Sequence, residues 1–136
     1  SKVATLALQP FLAQYTARDL LVWLSFEDQD GAVLSRNLAT FARPKHLELR
    51  EPDLTADLEW LPSDTGASAC RVTLTAANPA LWAWLELRGI EAAFSDNFLC
   101  LEPETPTEII VRPLRPVRET AFRRALVVRS LRDTYA

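Results

Sequence analysis

The feature that most limits what this chain can fold into is a period-two alternation of apolar and polar residues, cut into short lengths by prolines. Leu54, Ala56, Leu58 and Trp60 alternate with Thr55, Asp57 and Glu59; Cys70, Val72 and Leu74 alternate with Arg71, Thr73 and Thr75. Such a pattern presents one apolar face only if the backbone is extended, so it marks half-buried strands. Proline stands at 10, 44, 52, 62, 79, 103, 106, 113 and 116. It lacks an N–H and is excluded from central strands, so it sets outer limits on each run.

The strands expected on this basis are short. Val3 to Gln9 is the first, stopped by Pro10, with a helical turn allowed over Phe11 to Ala17. Leu20 to Glu27 follows, then the turn Asp28-Gln29-Asp30-Gly31, in which glycine is free to take a positive φ. Ala32 to Ser35 pairs back, and Asn37 to Arg43 is a separate run. Further runs are Leu54 to Trp60, Cys70 to Thr75, Leu81 to Arg88, Phe98 to Leu101, Thr107 to Arg112 and Leu126 to Leu131, with a turn at Ser63-Asp64-Thr65-Gly66. The best helix candidate is Glu119 to Ala125. Eight to ten such strands in a chain of 136 residues predict an all-β fold, a sandwich of two antiparallel sheets. Length allows one domain and excludes a (β/α)8 barrel, which needs about 200 residues or more.

Charge and composition narrow the function classes. No run of 18 apolar residues exists, so no membrane-spanning helix is expected, and no leader is visible. A net charge of −3 argues against a general nucleic-acid binder. Residues 112–136 nevertheless hold seven arginines and two acids, a net of +5, which leaves −8 for the rest. Two solvated faces of opposite sign account for this, as does a basic edge that docks on an acidic neighbour. The chain contains no Met, and the expectation is a chain processed or cut from something larger.

Reaction chemistry is mostly missing. The single histidine, His46, has no second His or Cys near it in sequence to form a metal site. Asp28, Asp30 and Gly31 resemble the start of a calcium loop, but position 39 is Ala where the bidentate Glu belongs, and a hairpin turn is the better reading. Many carboxylate pairs can be drawn, Glu102 with Glu104 for example, and no spacing selects one for glycosidase chemistry. No cofactor, nucleophile elbow or phosphate loop is expected. Cys70 shares a face with Val72 and Leu74; an inter-sheet bridge to Cys100 and two free thiols are both open. Trp82 and Trp84 are two residues apart, so they project from one strand face about 7 Å apart. Either they pack in a core or against a neighbour, or they form a platform for a sugar ring.

Several segments resemble the C-terminal domain of β-mannosidases of glycoside hydrolase family 2. They are Phe41 to Leu49, Trp82-Ala83-Trp84-Leu85-Glu86, Phe94-Ser95-Asp96-Asn97-Phe98, and the ending Val127 to Tyr135, with the hairpin Asp28 to Leu38 before them. The likeness spans about residues 19–135, so residues 19–136 are expected to be the sandwich and residues 1–18 a first strand and linker-like segment. The resemblance implies an immunoglobulin-like sandwich appended to a catalytic barrel. The barrel's two Glu residues hydrolyse terminal β-mannosides with retention, and this chain carries neither. Related exo-glucosaminidases share the plan. The partners implied are the other domains of the parent glycosidase, with oligosaccharide as a further ligand. The candidate interface or sugar contacts are Trp82, Trp84, Phe94, Asp96, Asn97 and Phe98, and Asp96 and Asn97 are expected to fix their own loop.

Overall fold

A computed structural model describes residues 4–61 and 68–135. The chain divides into two compact units, Ser1–Leu49 and Arg50–Ala136. The boundary therefore falls at Leu49/Arg50, not at residue 18, and residues 19–49 lie outside the sandwich expected to contain them.

In the first unit, residues 4–8 form no strand, contrary to the expected run, and the helical turn allowed over Phe11 to Ala17 is present as α1 (Gln9–Tyr15). Pro10 sits in its first turn, where a missing N–H costs nothing and the fixed φ suits a helix. Thr16, at φ 65°, ends it. Strands β1 (Leu21–Glu27) and β2 (Val33–Thr40) form a two-stranded antiparallel sheet in the register Leu21↔Thr40 through Phe26↔Ser35. The two runs expected at 32–35 and 37–43 are one strand, because nothing between Val33 and Thr40 breaks an extended backbone. The turn is built by Asp28, whose carboxylate accepts the N–H groups of Asp30 (2.9 Å) and Ala32 (2.8 Å). Gly31 there has φ 82°.

The second unit is an immunoglobulin-like sandwich. One sheet has the order β3-β4-β8-β6, from β3 (Thr55–Leu61), β4 (Ala69–Thr75), β8 (Thr107–Pro113) and the short β6 (Ala92–Phe94). The other has the order β7-β5-β9, from β5 (Ala80–Leu87), β7 (Leu99–Leu101) and β9 (Leu126–Arg129). All pairings are antiparallel. The expected turn at 63–66 lies outside the described residues. Strand β6 has no period-two run to announce it; Ala92, Ala93 and Phe94 pair with Pro113, Arg112 and Val111.

Alternation settles the core. Cys70, Val72 and Leu74 of β4 and Ile109 and Val111 of β8 meet Ala83, Leu85 and Leu87 of β5 and Leu101 of β7. Each fully buried Val or Leu contributes about 1.5–3 kcal/mol. Helix α2 (Glu119–Ala125), at its expected position, inserts Phe122, which is fully buried and meets Trp60 edge-on at 5.6 Å and 72°. The outer face of the four-stranded sheet is polar. Arg71 there pairs with Glu59 on one neighbouring strand and with Glu108 on the other.

Candidate functional site

The outer face of β7-β5-β9 carries the aromatic residues singled out in the sequence. On β5, Leu81, Ala83, Leu85 and Leu87 point inward, which turns Trp82, Trp84 and Glu86 outward. The alternation is not regular. The β5–β7 register shifts between Ala80 and Ala83, and Trp82 sits in the left-handed region at φ 50°. A bulge of this kind re-aims a side chain, and Trp82 is left 45% exposed. The plain two-residue spacing of Trp82 and Trp84 therefore does not hold.

Trp84 is paired with a different ring. Phe98 stacks on it with centroids 6.1 Å apart and planes 21° apart. Phe98 also lies in the left-handed region, at φ 58°, and is 66% exposed. Across the strand on the other side, Trp84 faces Arg129 of β9. The spacing rules gave no sign of Arg129, because its place follows from a pairing between distant runs. The face thus offers the stacked pair Trp84 and Phe98, an exposed Trp82 in the adjoining bulge, and Arg129 opposite Trp84 on the neighbouring strand. It can bind by stacking, apolar contact and hydrogen-bond donation. Among the described residues no hydrogen-bonded nucleophile–base pair stands on it.

The Phe94–Phe98 loop is a fastener between the two sheets. Phe94 packs against the core instead of joining the exposed face. The Ser95 N–H donates to the Ile110 carbonyl (2.9 Å), and the Ile110 N–H donates to the Ser95 hydroxyl (2.8 Å). Asp96 acts as expected, its carboxylate accepting the Asn97 N–H at 2.7 Å. Asn97 does more than fix its own loop. Its side-chain oxygen accepts the N–H groups of Phe98 (3.1 Å) and of Leu85 (2.8 Å), and its amide donates to the Leu85 carbonyl (2.9 Å).

The C-terminal Ser130-Leu131-Arg132-Asp133-Thr134-Tyr135 is also structural. Ser130 and Asp133 form a capping box on the 3-10 turn Leu131–Thr134. Arg132 lies over the Tyr135 ring at 5.5 Å and pairs with Glu51 at 2.9 Å. Cys70 is buried and Cys100 exposed, both as free thiols. Burial pushes the Cys70 thiol above its ordinary value; Arg123 opposes this, while Glu119 and Glu59 add to it. His46 ends a 3-10 turn, Pro44–His46, and its carbonyl accepts from Arg18 Nε at 2.9 Å. Among the described residues no group of three or more His, Cys, Asp or Glu is placed to hold a metal ion.

A family model described as an Ig-fold domain, that of the mannosidase Ig family, matches residues 49–134. The chain belongs to the mannosidase Ig-fold family. A second model, described as a mannosidase Ig/CBM-like domain, matches residues 1–46. The interval between the two matches, residues 47–48, ends just before the division of the chain at Leu49/Arg50. No curated protein matches the chain. The mannosidase Ig-fold sandwich and the Ig/CBM-like unit are thus two accessory units of a mannosidase, joined in sequence.

Proposed function

We propose that this chain is a non-catalytic accessory region of a β-mannosidase of glycoside hydrolase family 2. In this reading the parent enzyme hydrolyses terminal β-D-mannosides with retention, using two Glu residues of a (β/α)8 barrel. The sandwich stabilises that barrel and shapes access to its site. The observation that carries the reading is the adjacency of two mannosidase accessory matches, which together span nearly all of the chain. The side chains that looked most motif-like, Ser95, Asn97, Ser130 and Asp133, are spent on backbone groups, in keeping with a scaffold.

The pure chain is expected to fold and to release no aryl group from an aryl β-mannoside. In the full-length parent, removing residues 50–136 should lower the thermal midpoint of the barrel and its specific activity together. Turnover by the pure chain that disappears when a single Glu is replaced would overturn the assignment.

The aromatic face favours a second reading, contact with oligosaccharide. Two bulky residues, Trp82 and Phe98, hold left-handed backbone and are exposed, Phe98 stacked on Trp84, and strain of this kind concentrates at binding surfaces. Titration with manno-oligosaccharide should then change the Trp fluorescence, and Trp82→Ala should abolish the change. A titration with neither heat nor a fluorescence change removes this reading and leaves the accessory role intact.

A further inference from the structure

The charge asymmetry of the sequence becomes a separation of charge along the sandwich. The ends of β5 and β8, the start of β6 and helix α2 lie at one end. There the Leu114 N–H donates to the Glu91 carbonyl (2.8 Å), and the Arg88 N–H donates to the Ala125 carbonyl (2.9 Å). These two bonds draw together the β5–β6 turn, the β8–α2 connection and the end of α2. A depression of about 400 Å³ lies between them, lined by Gly89, Ile90, Glu91, Arg115 and Val117. Arg88, Arg112, Arg115, Arg118 and Arg124 are all exposed here.

Little neutralises them. Among the described residues Arg112, Arg115, Arg118 and Arg124 have no ion pair, and Arg88 has only a solvent-exposed contact of 3.6 Å with Glu86. Glu119 is committed to Arg123 at 2.7 Å, which among the described residues leaves Glu91. At the opposite end, the Pro52 carbonyl accepts from Ala77 and Asn78, and the Glu104 N–H donates to the Ala76 carbonyl. That end gathers Asp53, Glu102 and Glu104, against Arg50 and an Arg132 already paired with Glu51. The modest net charge of −3 hides a basic end and an acidic end.

We propose that the basic end is a docking surface for an acidic segment of another protein domain. Three observations favour a protein carboxylate surface over other anions. First, every cationic side chain from residue 50 onward is arginine. The planar guanidinium makes paired hydrogen bonds to a carboxylate, which an ammonium does not. Second, the arginines are interleaved with apolar residues, Leu114 largely exposed and Ile90 and Val117 half-buried. Arginine mixed with apolar surface, with lysine scarce, is the composition of protein interfaces. Third, the acidic remainder of the sandwich repels an extended polyanion such as nucleic acid or an anionic membrane. A compact acidic patch avoids that remainder.

The test uses the 136-residue chain and a fluorophore-labelled oligoglutamate peptide, read by anisotropy at low and at physiological salt. Binding is expected, weakening as salt shortens the screening length. Arg115→Glu with Arg118→Glu should weaken it by about tenfold or more, while Arg50→Glu, remote from this end, should not. Arg115→Lys with Arg118→Lys keeps the charge and should still weaken binding several-fold, because the guanidinium fork is lost. Unchanged Trp fluorescence and thermal midpoint establish that the variants fold.

Four results would overturn the proposal. They are no binding of the peptide, equal binding by the charge-reversed variant, and equal or tighter binding of a DNA duplex or of phosphatidylserine vesicles. The fourth is salt-sensitive self-association in sedimentation, abolished by the same charge reversal, which would make the occupant the acidic end of a second copy.

Discussion

Asn97 takes the place of a backbone partner for Leu85. Strand β7 pairs with β5 at Ala83↔Leu99, and the next hydrogen-bonding position along that ladder is Leu85 opposite Asn97. The backbone does not reach it, because Phe98 at φ 58° turns the chain away. The Asn97 carboxamide supplies one acceptor and one donor in the geometry of a peptide group, at 2.8 and 2.9 Å. Asn97→Ala leaves a half-buried N–H and C=O unpaired and should cost about 1–3 kcal/mol in urea unfolding, with the m-value unchanged. Asn97→Asp keeps the acceptor but sets an anion against the Leu85 carbonyl, so it should not rescue. A loss below a few tenths of a kcal/mol in both variants would mean that water serves Leu85 equally well.

Ser130 and Asp133 close the fold at its far end. Ser130 is fully buried. One carboxylate oxygen of Asp133 accepts both its N–H (2.6 Å) and its hydroxyl (3.1 Å). Asp133→Ala strands two buried donors and should cost about 1–3 kcal/mol, more than Thr134→Ala, whose hydroxyl donates to the Leu131 carbonyl at an exposed site. Thermal midpoints of the two variants decide the order.

What the sequence made legible follows from this contrast. Alternation puts Val72 and Leu74 on one face with Cys70, and all three are buried. It shows that Leu81, Ala83, Leu85 and Leu87 share a face, but not that this face, instead of the Trp82 and Trp84 side, is the inner one. The helix Glu119–Ala125 is legible as the best helix candidate, from the short apolar stripe around Phe122. The loop residues were visible as a pattern but not as a function. Ser95 and Asn97 act on Ile110 and Leu85, and no sequence rule pairs a loop amide with a strand twelve residues away. Arg129 beside Trp84 depends on the β5–β9 register in the same way. The division at Leu49/Arg50 was missed because the hairpin runs alternate like those of the sandwich. Alternation reports that a strand exists but not which sheet it joins.

Backbone strain at Trp82 gives a sign reversal to look for. At φ 50° a Cβ crowds the backbone, and glycine does not suffer this. Trp82→Gly should therefore be more stable than Trp82→Ala by about 1 kcal/mol. At Trp84, which is not among the left-handed residues, glycine should be worse than alanine by about 0.5–1 kcal/mol. Chemical denaturation of the four variants gives both differences. Glycine losing to alanine at both positions would show that the bulge carries no strain.

The two thiols should separate by reactivity and by pH. Cys100 is exposed and Cys70 buried, so an aromatic disulfide reagent should titrate Cys100 in the native chain and reach Cys70 only on unfolding. Cys70 also links stability to alkaline pH. Burial, the largest cause, raises its thiol above the ordinary value of 9.0, against the pull of Arg123. Above that value the unfolded thiol has released a proton that the folded thiol still holds, so the unfolded state binds fewer protons and stability falls as pH rises. Below it both states are protonated and the contribution is flat. Tyr135, raised from 10.0 by burial against Arg132, adds a second loss of the same sign at higher pH. Cys70→Ala lowers the baseline by leaving a small cavity, but its stability should decline less steeply than that of the parent chain just above pH 9. Tyr135→Phe should flatten only the later part of the curve. Parallel declines in the parent and the Cys70 variant would mean that the buried thiol does not set the alkaline limit.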